Sequence, residues 1–354
     1  MMRKVNKDFW KDKKVFVTGH TGFKGSWLSL WLYDMGAIVK GYALEPPTKP
    51  SLFEIANLNE IIDSEIDDIR DLVRVKQSMS DFNPDILIHM AAQPLVRLSY
   101  TSPLETYETN VMGTANVLEA ARYCENLKAI VSVTTDKCYE NKEWVWAYRE
   151  EEAMGGYDPY SSSKGCAELV SSAYRRSFFN GGDFAALATA RAGNVIGGGD
   201  WAMDRLIPDI FSAFQNKQAV IIRNPMATRP WQHVLEPLSG YLMLAEDLYS
   251  KGHSFAEAWN FGPEEKDCKP VSWILDKLID LWADGASWQL DQNSNPHEAT
   301  FLKLDCSKAK HYISWHPKWH VEETLERIVN WQKSFLLKQN MRQITLNEIR
   351  EYNF

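Results

Sequence analysis

The chain has 354 residues, of which 45% are hydrophobic and 24% charged, and its formal net charge is −8. This balance predicts a globular protein of one large or two ordinary domains and excludes a largely disordered chain. An acidic surface also argues against nucleic acid and anionic membranes as partners, because both are bound through basic patches. No window approaches the ~18 apolar residues of a membrane span. No leader segment is recognisable and no CxxC pair occurs among the five cysteines, so we expect a cytoplasmic protein without a metal site.

Short apolar runs alternate with helical patterns along the first half of the chain, beginning with a helix predicted over Phe23–Met35. The predicted strands are Lys14–Thr18, Ala37–Leu44, Asp85–Met90, Lys128–Thr134, Asp183–Ala190 and, late in the chain, Ala258–Phe261. Strands separated by helices form βαβ units. The pattern therefore predicts an α/β fold with a Rossmann-type, doubly wound parallel sheet.

Two later helices have well-marked starts. Residues 102–105 (SPLE) combine an N-cap serine, a proline in the first turn and a glutamate two positions later. This capping box predicts a helix from Pro103 to about Tyr123. The pair Asp158–Pro159 repeats the signal and opens a helix that carries Tyr160.

The alternation weakens after about residue 192, where proline and tryptophan become frequent. We assign residues 1–192, with roughly 231–263, to a nucleotide-binding domain. Residues 193–230 and 264–354 are assigned to a smaller α+β domain that binds substrate.

A glycine-rich loop, GHTGFKG, lies between the first predicted strand and the first predicted helix. Glycine there permits a tight turn and lets backbone N–H groups approach a pyrophosphate at the helix N-terminus. The loop therefore predicts a dinucleotide site made by Gly19, His20, Thr21, Gly22, Phe23, Lys24 and Gly25.

Tyr160 and Lys164 are four residues apart and share one face of their helix. A neighbouring ammonium group favours the phenolate, so Lys164 is predicted to lower the pKa of Tyr160 and make it a base for an alcohol. The strand upstream ends in Thr134–Lys137, where the hydroxyl of Thr135 is placed to share a substrate oxygen with Tyr160.

These motifs resemble the extended short-chain dehydrogenase/reductase family over nearly the whole chain. The segments GHTGFKGSWL, TTDKCYENKEW and GNVIGGGDWAMDRLIPD resemble its nucleoside-diphosphate-hexose 4,6-dehydratases, above all those that act on CDP-glucose. The resemblance implies NAD as cofactor and CDP-D-glucose as substrate. The implied product is CDP-4-dehydro-6-deoxy-D-glucose, in the biosynthesis of 3,6-dideoxyhexoses for lipopolysaccharide O-antigen. It also implies at least a homodimer.

The resemblance extends to individual residues. It implies catalytic roles for Thr135, Asp136, Lys137, Tyr160 and Lys164. It adds Asp68, Ile69, Ala91, Ala92, Gln93, Asn110, Tyr160 and Lys164 to the cofactor site. It implies substrate contacts for Gln93, Arg191, Asn194, Arg205, Leu206, Arg229 and Asn260.

A 4,6-dehydratase oxidises C4 of the sugar, eliminates water across C5 and C6, and returns the hydride to C6. Asp136 and Lys137 supply an acid and a second polar group for the elimination, which a simple epimerase does not need. Many dehydratases of this family carry Asp-Glu at these positions. A lysine is protonated at neutral pH in ordinary surroundings, so Lys137 either loses its proton and acts as the base or stays charged and stabilises the C4 enolate.

Three other functions stay open at this point. A nucleotide-sugar 4-epimerase would use Tyr160 and NAD without the elimination pair. A 4,6-dehydratase of another nucleoside-diphosphate hexose would share the whole mechanism, because the cytosine preference rests on resemblance alone. A non-catalytic nucleotide-binding regulator would be expected to lack Tyr160 or Lys164.

The second predicted strand has no Asp or Glu near Ala43 to bind the adenosine ribose, and Glu45 falls two residues late. His20 and Lys24 occupy loop positions that are usually small or apolar. We predict NAD rather than NADP, held weakly. His89 is predicted to be a satisfied core histidine, and His297 with Glu298 is a further candidate nucleotide contact.

Overall fold

A parallel sheet of seven strands forms the centre of the structure, a computed structural model that describes residues 3–182, 184–291 and 301–353. The strands are β1 Lys14–Thr18, β2 Ile38–Ala43, β3 Asp63–Ile66, β4 Ile86–His89, β5 Ala129–Val133, β6 Ala186–Arg191 and β7 Ala258–Asn260. Their order is β7-β6-β5-β4-β1-β2-β3, and every neighbouring pair is parallel. The predicted doubly wound α/β class is confirmed.

All six predicted strands are present, whereas β3 has no counterpart among them. β3 is a short edge strand, and its sequence DSEI is partly exposed throughout, so it has no apolar run to mark it. β6 begins at Ala186 rather than Asp183, and Asp183 itself lies outside the described residues.

Helices flank the sheet. The α-helices are Lys7–Trp10, Phe23–Asp34, Leu52–Ile55, Leu72–Phe82, Val96–Thr101, Pro103–Tyr107, Gly113–Ala121, Pro159–Ser177, Leu206–Gln215, Leu235–Lys251, Val271–Trp282, Val321–Leu336 and Met341–Asn353. Short 3₁₀ segments cover Leu58–Glu60, Asp136–Cys138, Gly252–Phe255 and Glu265–Asp267, and π-helical segments cover Glu108–Met112 and Ala309–Ile313. Within the described ranges, no helix has the length and apolar character needed to cross a membrane.

The alternation of side chains along β1 supplies a core on each face of the sheet. Val15 and Val17 belong to one buried cluster, and Phe16 between them belongs to another. The first cluster includes the helices Phe23–Asp34 and Leu235–Lys251. Apolar side chains cover both faces, which explains why the central strands are continuous hydrophobic runs.

The helix starts agree with the sequence in one case and differ in the other. The Asp158 carboxylate accepts a hydrogen bond from the Ser161 backbone N–H at 2.9 Å, so the predicted N-cap is present. Ser102 precedes the helix that begins at Pro103, but its side chain makes no capping hydrogen bond. The capping-box prediction is therefore wrong there, because Ser102 also ends the preceding helix Val96–Thr101 and its backbone is not extended.

A second, smaller region is built on three helices with a core of their own. These are Leu206–Gln215, Val271–Trp282 and Val321–Leu336. Three two-stranded pairs accompany them: Val195–Ile196 with Gln232–His233, Val220–Ile222 with Trp288–Leu290, and Thr228–Pro230 with Cys268–Pro270. This mixture is the predicted α+β architecture.

The helix Met341–Asn353 departs from the predicted domain boundary, which places residues 264–354 with the substrate domain. It packs on Phe23–Asp34, where Tyr352 lies edge-on to Trp31 at 5.7 Å and Arg350 pairs with Asp34. Its apolar residues belong to the same buried cluster as β1. The correction follows from its amphipathic pattern, which shows that one face is buried but not against which partner.

Candidate active site

The glycine loop links β1 to the helix Phe23–Asp34 at the edge where the strand order reverses, between β1 and β4. Gly19 has a φ of +79°, and a Cβ atom there would lie 2.8 Å from the backbone nitrogen of Ala91. A Cβ atom at Gly25 would overlap with the carbonyl of Gly19. Both glycines are therefore required by the close approach of backbone to backbone.

The loop fits the diphosphate of NAD. Gly22 is the N-cap of the helix and offers no side-chain cap to the first N–H groups. A Cβ atom at Gly22 would meet no atom closer than 3.5 Å, so the space in front of the helix N-terminus is open. Unsatisfied N–H groups and the helix dipole favour an anion at that position.

His20 turns away from that space. Its ring is fully buried against Gly41 of β2, and Nε2 lies 2.7 Å from the hydroxyl of Ser64. Burial lowers the pKa of His20 to about 4, so the ring is neutral at pH 7. The ring fills the gap between the loop and β2, so a role of His20 in the cofactor site falls to its backbone rather than to its side chain.

Lys24 faces the opposite way, toward the predicted catalytic residues. Burial, together with the positive charges of Lys164 and Arg205, lowers the pKa of Lys24 to about 7, and Asp136 opposes this shift. The Lys24 ammonium also lies 5.9 Å from the ring centre of Tyr241. The side chain thus belongs to the end of the site where a substrate would react.

Thr135 connects the two groups expected to move protons. Its hydroxyl donates to Asp136 Oδ1 at 3.0 Å, and it is also hydrogen-bonded to the phenol of Tyr160. All three side chains are buried. Their meeting follows from the fold, because Thr135 and Asp136 follow β5 and the Tyr160 helix, Pro159–Ser177, packs beside that strand end.

The pKa of Tyr160 is shifted in the direction opposite to the predicted one. Burial raises the pKa of Tyr160 to about 12, while the hydrogen bond with Thr135 lowers it in part. The Lys164 ammonium donates instead to the carbonyl of Val133 at 3.3 Å, and burial lowers the pKa of Lys164 to about 8. Lys164 is therefore directed at the end of β5 rather than at the phenol.

Lys137 is more exposed than its neighbours. Its side chain is 37% exposed, and Nζ lies 3.7 Å from Asp136 Oδ1. Acid and cation are thus adjacent at one edge of the site. Lys137, Lys24, Lys164 and Arg205 thus surround the buried carboxylate of Asp136. They form a region of positive charge within a protein of net charge −8.

Arg191 is bonded within the protein. Its guanidinium is buried in a two-pronged ion pair with Glu168, at 2.8 and 2.9 Å, and also donates to the hydroxyl of Tyr139 and the carbonyl of Glu150. Burial opposes ionisation of Glu168, but the Arg191 charge outweighs it and lowers the pKa of Glu168. These bonds hold the guanidinium inside the protein, where it positions Glu168 and Tyr139, and its substrate contact stays a prediction.

Asn260 is engaged within the protein as well. Its amide donates to the carbonyl oxygens of Tyr148 and Asp305 at 2.9 and 3.2 Å, and its amide oxygen accepts from Tyr139. These bonds join the end of β7 to the segment after β5, which holds Tyr139 and Tyr148, and to the segment around Asp305. Its role in the structure is to join segments rather than to bind a ligand.

The loop after β4 holds the other predicted cofactor contacts. The side chain of Asn110 accepts from the Gln93 N–H at 2.8 Å and donates to Ser163 on the Tyr160 helix at 2.8 Å. The Gln93 amide donates to Leu95 and Thr106. These bonds position the loop, and they correct the predicted substrate contact of the Gln93 side chain, which is engaged within its own segment. Ala91 and Ala92 lie at the start of this loop, partly exposed.

The remaining predicted contacts line the same edge. Asp68 pairs with Arg70, which helps lower the pKa of Asp68, and Ile69 is buried beside the helix Gly113–Ala121. His89, beside the loop, is a satisfied core residue as predicted, bonded to Thr18 and Thr114. Among the described residues no group of three or more His, Cys, Asp or Glu side chains is arranged to hold a metal. His297 and Glu298 lie outside the described residues.

Four predicted substrate residues, Asn194, Arg205, Leu206 and Arg229, lie on or beside elements of the smaller region. Asn194 has a φ of +47° and a buried amide oxygen without a hydrogen-bond partner among the described residues. Arg205 caps the helix that begins at Leu206 and pairs with Asp200 at 2.9 Å. Arg229 lies on the strand Thr228–Pro230. Two arginines and a helix N-terminus suit a diphosphate.

Two residues of this region escape the sequence reasoning. Glu168 does carry a signal, because it lies four residues after Lys164 and hence on the buried face of the helix, where an acid needs a charged partner. Tyr241 carries none: its helix is buried along most of its length, and nothing local separates this tyrosine from core residues.

Comparisons with known proteins agree with this geometry. Residues 16–328 match the family model described as GDP-mannose 4,6 dehydratase. The CDP-glucose 4,6-dehydratase of Salmonella typhimurium is 60% identical over 352 residues, which cover 98% of either chain. The dTDP-glucose 4,6-dehydratase of Escherichia coli is 26% identical, covering 90% of this chain and 93% of its own.

Solved structures show the same fold at lower identity. The dTDP-glucose 4,6-dehydratase DesIV of Streptomyces venezuelae, with NAD and TYD bound, has a TM-score of 0.78 and 20% identity, covering 91% of this chain and 97% of that one. The UDP-glucuronic acid 4-epimerase of Bacillus cereus, with UDP-glucuronic acid and NAD, has a TM-score of 0.78 and 22% identity, covering 91% and 99%. Dehydratases and epimerases thus share this scaffold, and the side chains have to distinguish them.

Proposed function

The chain belongs to the GDP-mannose 4,6-dehydratase family, within the extended short-chain dehydrogenases/reductases, and we propose that it is a CDP-glucose 4,6-dehydratase. It converts CDP-D-glucose into CDP-4-dehydro-6-deoxy-D-glucose with NAD as cofactor, by C4 oxidation, loss of water across C5 and C6, and hydride return to C6. The choice of CDP-glucose rests on the 60% identity to the Salmonella typhimurium enzyme over nearly the full chain.

The observation that carries the reaction type is the hydrogen-bonded chain Tyr160–Thr135–Asp136. NAD, when bound, supplies a reversible hydride acceptor. Tyr160, once it has lost its own proton, takes the proton of the C4 hydroxyl, and Thr135 orients that oxygen. Asp136 is the next residue after Thr135. Its carboxyl group is therefore placed beside C5 and C6 of the same sugar, where a proton donor to the C6 oxygen is required.

Lys137 completes the elimination pair. Once C4 is a ketone, the C5 proton is acidic and its removal leaves an enolate. The Lys137 ammonium, 3.7 Å from Asp136, is placed to stabilise that negative charge. We assign it this role rather than that of the base, because its Nζ lies beside the Asp136 carboxylate and the side chain is partly exposed to solvent.

We also propose that the enzyme works in the cytoplasm, in deoxysugar synthesis, as a homodimer. The dimer proposal is supported by apolar side chains exposed on the helices around residues 103–121 and on the Tyr160 helix: Leu104 is 77% exposed, Met112 56% and Leu169 61%. A second copy of the chain would bury this apolar face, because the same patch on two copies can pair across a two-fold axis. Sedimentation of the purified protein measures the state.

The function is tested with NAD and a panel of CDP-, dTDP-, UDP- and GDP-hexoses, followed by mass spectrometry. The expected result is loss of one water from CDP-glucose without net formation of NADH, because the hydride is returned. Steady NADH formation would indicate a dehydrogenase and contradict the proposal. Water loss from dTDP-glucose alone would contradict the substrate and leave the mechanism standing.

A further inference from the structure

The hydroxyl of Tyr241 is buried and has no hydrogen-bond partner among the described residues. Tyr241 lies on the helix Leu235–Lys251, and its ring packs edge-on against Phe261 at 5.7 Å. Tyr352, also buried, donates to Glu236 at 2.7 Å and contacts Ser239. Buried hydroxyls in folded proteins are paired in the large majority of cases, and the described residues hold three further exceptions, Ser29, Ser171 and Thr324, so the position of Tyr241 has to show whether a ligand is its partner.

The position of Tyr241 points to the reacting end of the site. The ammonium of Lys24 lies 5.9 Å from its ring centre. The groups that act electrostatically on its hydroxyl are Asp136 and Tyr160, the two residues expected to move protons. Burial and the negative charge of Asp136 raise the pKa of Tyr241, so the hydroxyl keeps its proton and is a donor.

The proposed reaction needs a second donor at this place. In the elimination the Asp136 carboxylate takes the C5 proton, the electrons of the C5–H bond form the C5–C6 double bond, and the C6–O bond breaks with its electrons on oxygen. Asp136 then passes that proton to the departing oxygen, which leaves as water. The oxygen has two lone pairs, and only one of them can accept the proton from Asp136.

We propose that Tyr241 donates a hydrogen bond to the C6 hydroxyl of the hexose and holds the C6–O bond in the orientation required for elimination. The inference rests on the proposed function and deepens it, by naming the residue that binds the departing hydroxyl. A neutral phenol suits this task because it stabilises the oxygen without competing with Asp136 to supply the proton.

The test is Tyr241→Phe in the full chain, in a single turnover with NAD and CDP-glucose. C4 oxidation, followed by the near-ultraviolet absorbance of NADH, is expected to keep its rate. Decay of NADH and release of water are expected to slow at least about tenfold, the effect of one lost hydrogen bond to a reacting group. NADH therefore accumulates transiently. The melting temperature is expected to stay the same or rise, because an unpartnered hydroxyl is removed.

Tyr352→Phe is the matched control, since it removes a buried hydroxyl that is bonded within the protein. It is expected to lower the melting temperature and leave the ratio of the two steps unchanged. A Tyr241→Phe enzyme that eliminates water at the wild-type rate, or that only binds NAD more weakly, overturns this proposal and leaves the proposed function intact. A wild-type protein that releases no water from CDP-glucose overturns both.

Discussion

The carboxylate of Asp136 fills the space in which a side chain at Gly193 would begin. A Cβ atom at Gly193 would overlap with both carboxylate oxygens of Asp136. The two residues follow β5 and β6, neighbouring strands of the sheet, so they meet where those strands end. The acid is thus held by the shape of the backbone as well as by its bonds to Thr135 and Lys137.

The Gly193→Ala variant tests this relationship. The added methyl group displaces the Asp136 carboxylate, and we expect kcat to fall about 100-fold, as for a misplacement of about 1 Å. Steady-state kinetics and the melting temperature measure the two effects. Gly182→Ala is the control, because a Cβ atom there meets nothing within 4 Å. Equal activity of the two variants contradicts the role of Gly193.

Asp136→Asn separates dehydration from epimerisation. The amide keeps the shape of the acid but carries no transferable proton, so water loss is expected to fall by about 10² to 10⁴. Oxidation at C4 should continue, and the variant should hold NADH and the 4-keto sugar. Rapid quenching and mass spectrometry detect that intermediate. Undiminished turnover would favour an epimerase.

Lys137 is tested by two substitutions of different charge. Arginine stays protonated, so Lys137→Arg keeps the cation and removes any possibility of a base. Lys137→Met removes both. We expect the arginine variant to be at least about tenfold more active than the methionine variant, as an electrostatic role requires. Equal loss in both variants, measured by exchange of the C5 hydrogen with deuterated solvent, would identify Lys137 as the base.

The lowered pKa of Lys24 should make the free energy of unfolding depend on pH. The pKa of Lys24 is lowered by burial from its ordinary value of 10.5 to about 7. Between these pH values only the unfolded chain binds the proton, so the free energy of unfolding gains a contribution that rises with pH. Below about pH 7 the amine is charged in both states and its burial is least favourable. Lys24→Met should therefore stabilise the protein most in acid and progressively less toward alkaline pH, as measured by urea unfolding.

The cofactor should be held weakly. His20 is neutral and turned against β2, and β2 itself ends at Ala43 without an acidic residue to bind the adenosine ribose. We expect the purified protein to carry less than one NAD per chain, and added NAD to raise its activity. Heating the protein releases the bound nucleotide, and chromatography then measures how many NAD molecules each chain carried. Full occupancy without added NAD would contradict this expectation.

Most of the fold is encoded in local pattern. The central strands are visible as apolar runs because they are buried on both faces, whereas β3 is hidden by its position at the edge. The residues around Tyr160 are equally visible, since a helix start and a strand end place them without knowledge of distant contacts. The structure brings Thr135, Asp136 and Tyr160 together as the sequence predicts.

Sequence reasoning falls short where function and burial use the same residue type. Arg191 has the charge of a phosphate-binding residue, and only its partner on the helix Pro159–Ser177, Glu168, shows that its charge is neutralised inside the protein. The direction in which Lys24 and His20 point is likewise set by β2 and by Tyr241, which lie far away along the chain. Periodicity describes which face of an element is buried, but not which distant atoms meet it.

The contact between Phe23–Asp34 and Met341–Asn353 has a consequence for how the protein is made. Arg350 meets Asp34 across 316 residues of sequence, so the glycine-loop helix emerges from the ribosome long before its covering helix is translated. Trp31, only 1% exposed in the finished protein, stays uncovered on that side throughout synthesis. The nucleotide-binding half is therefore completed only after residues 341–353 have been translated.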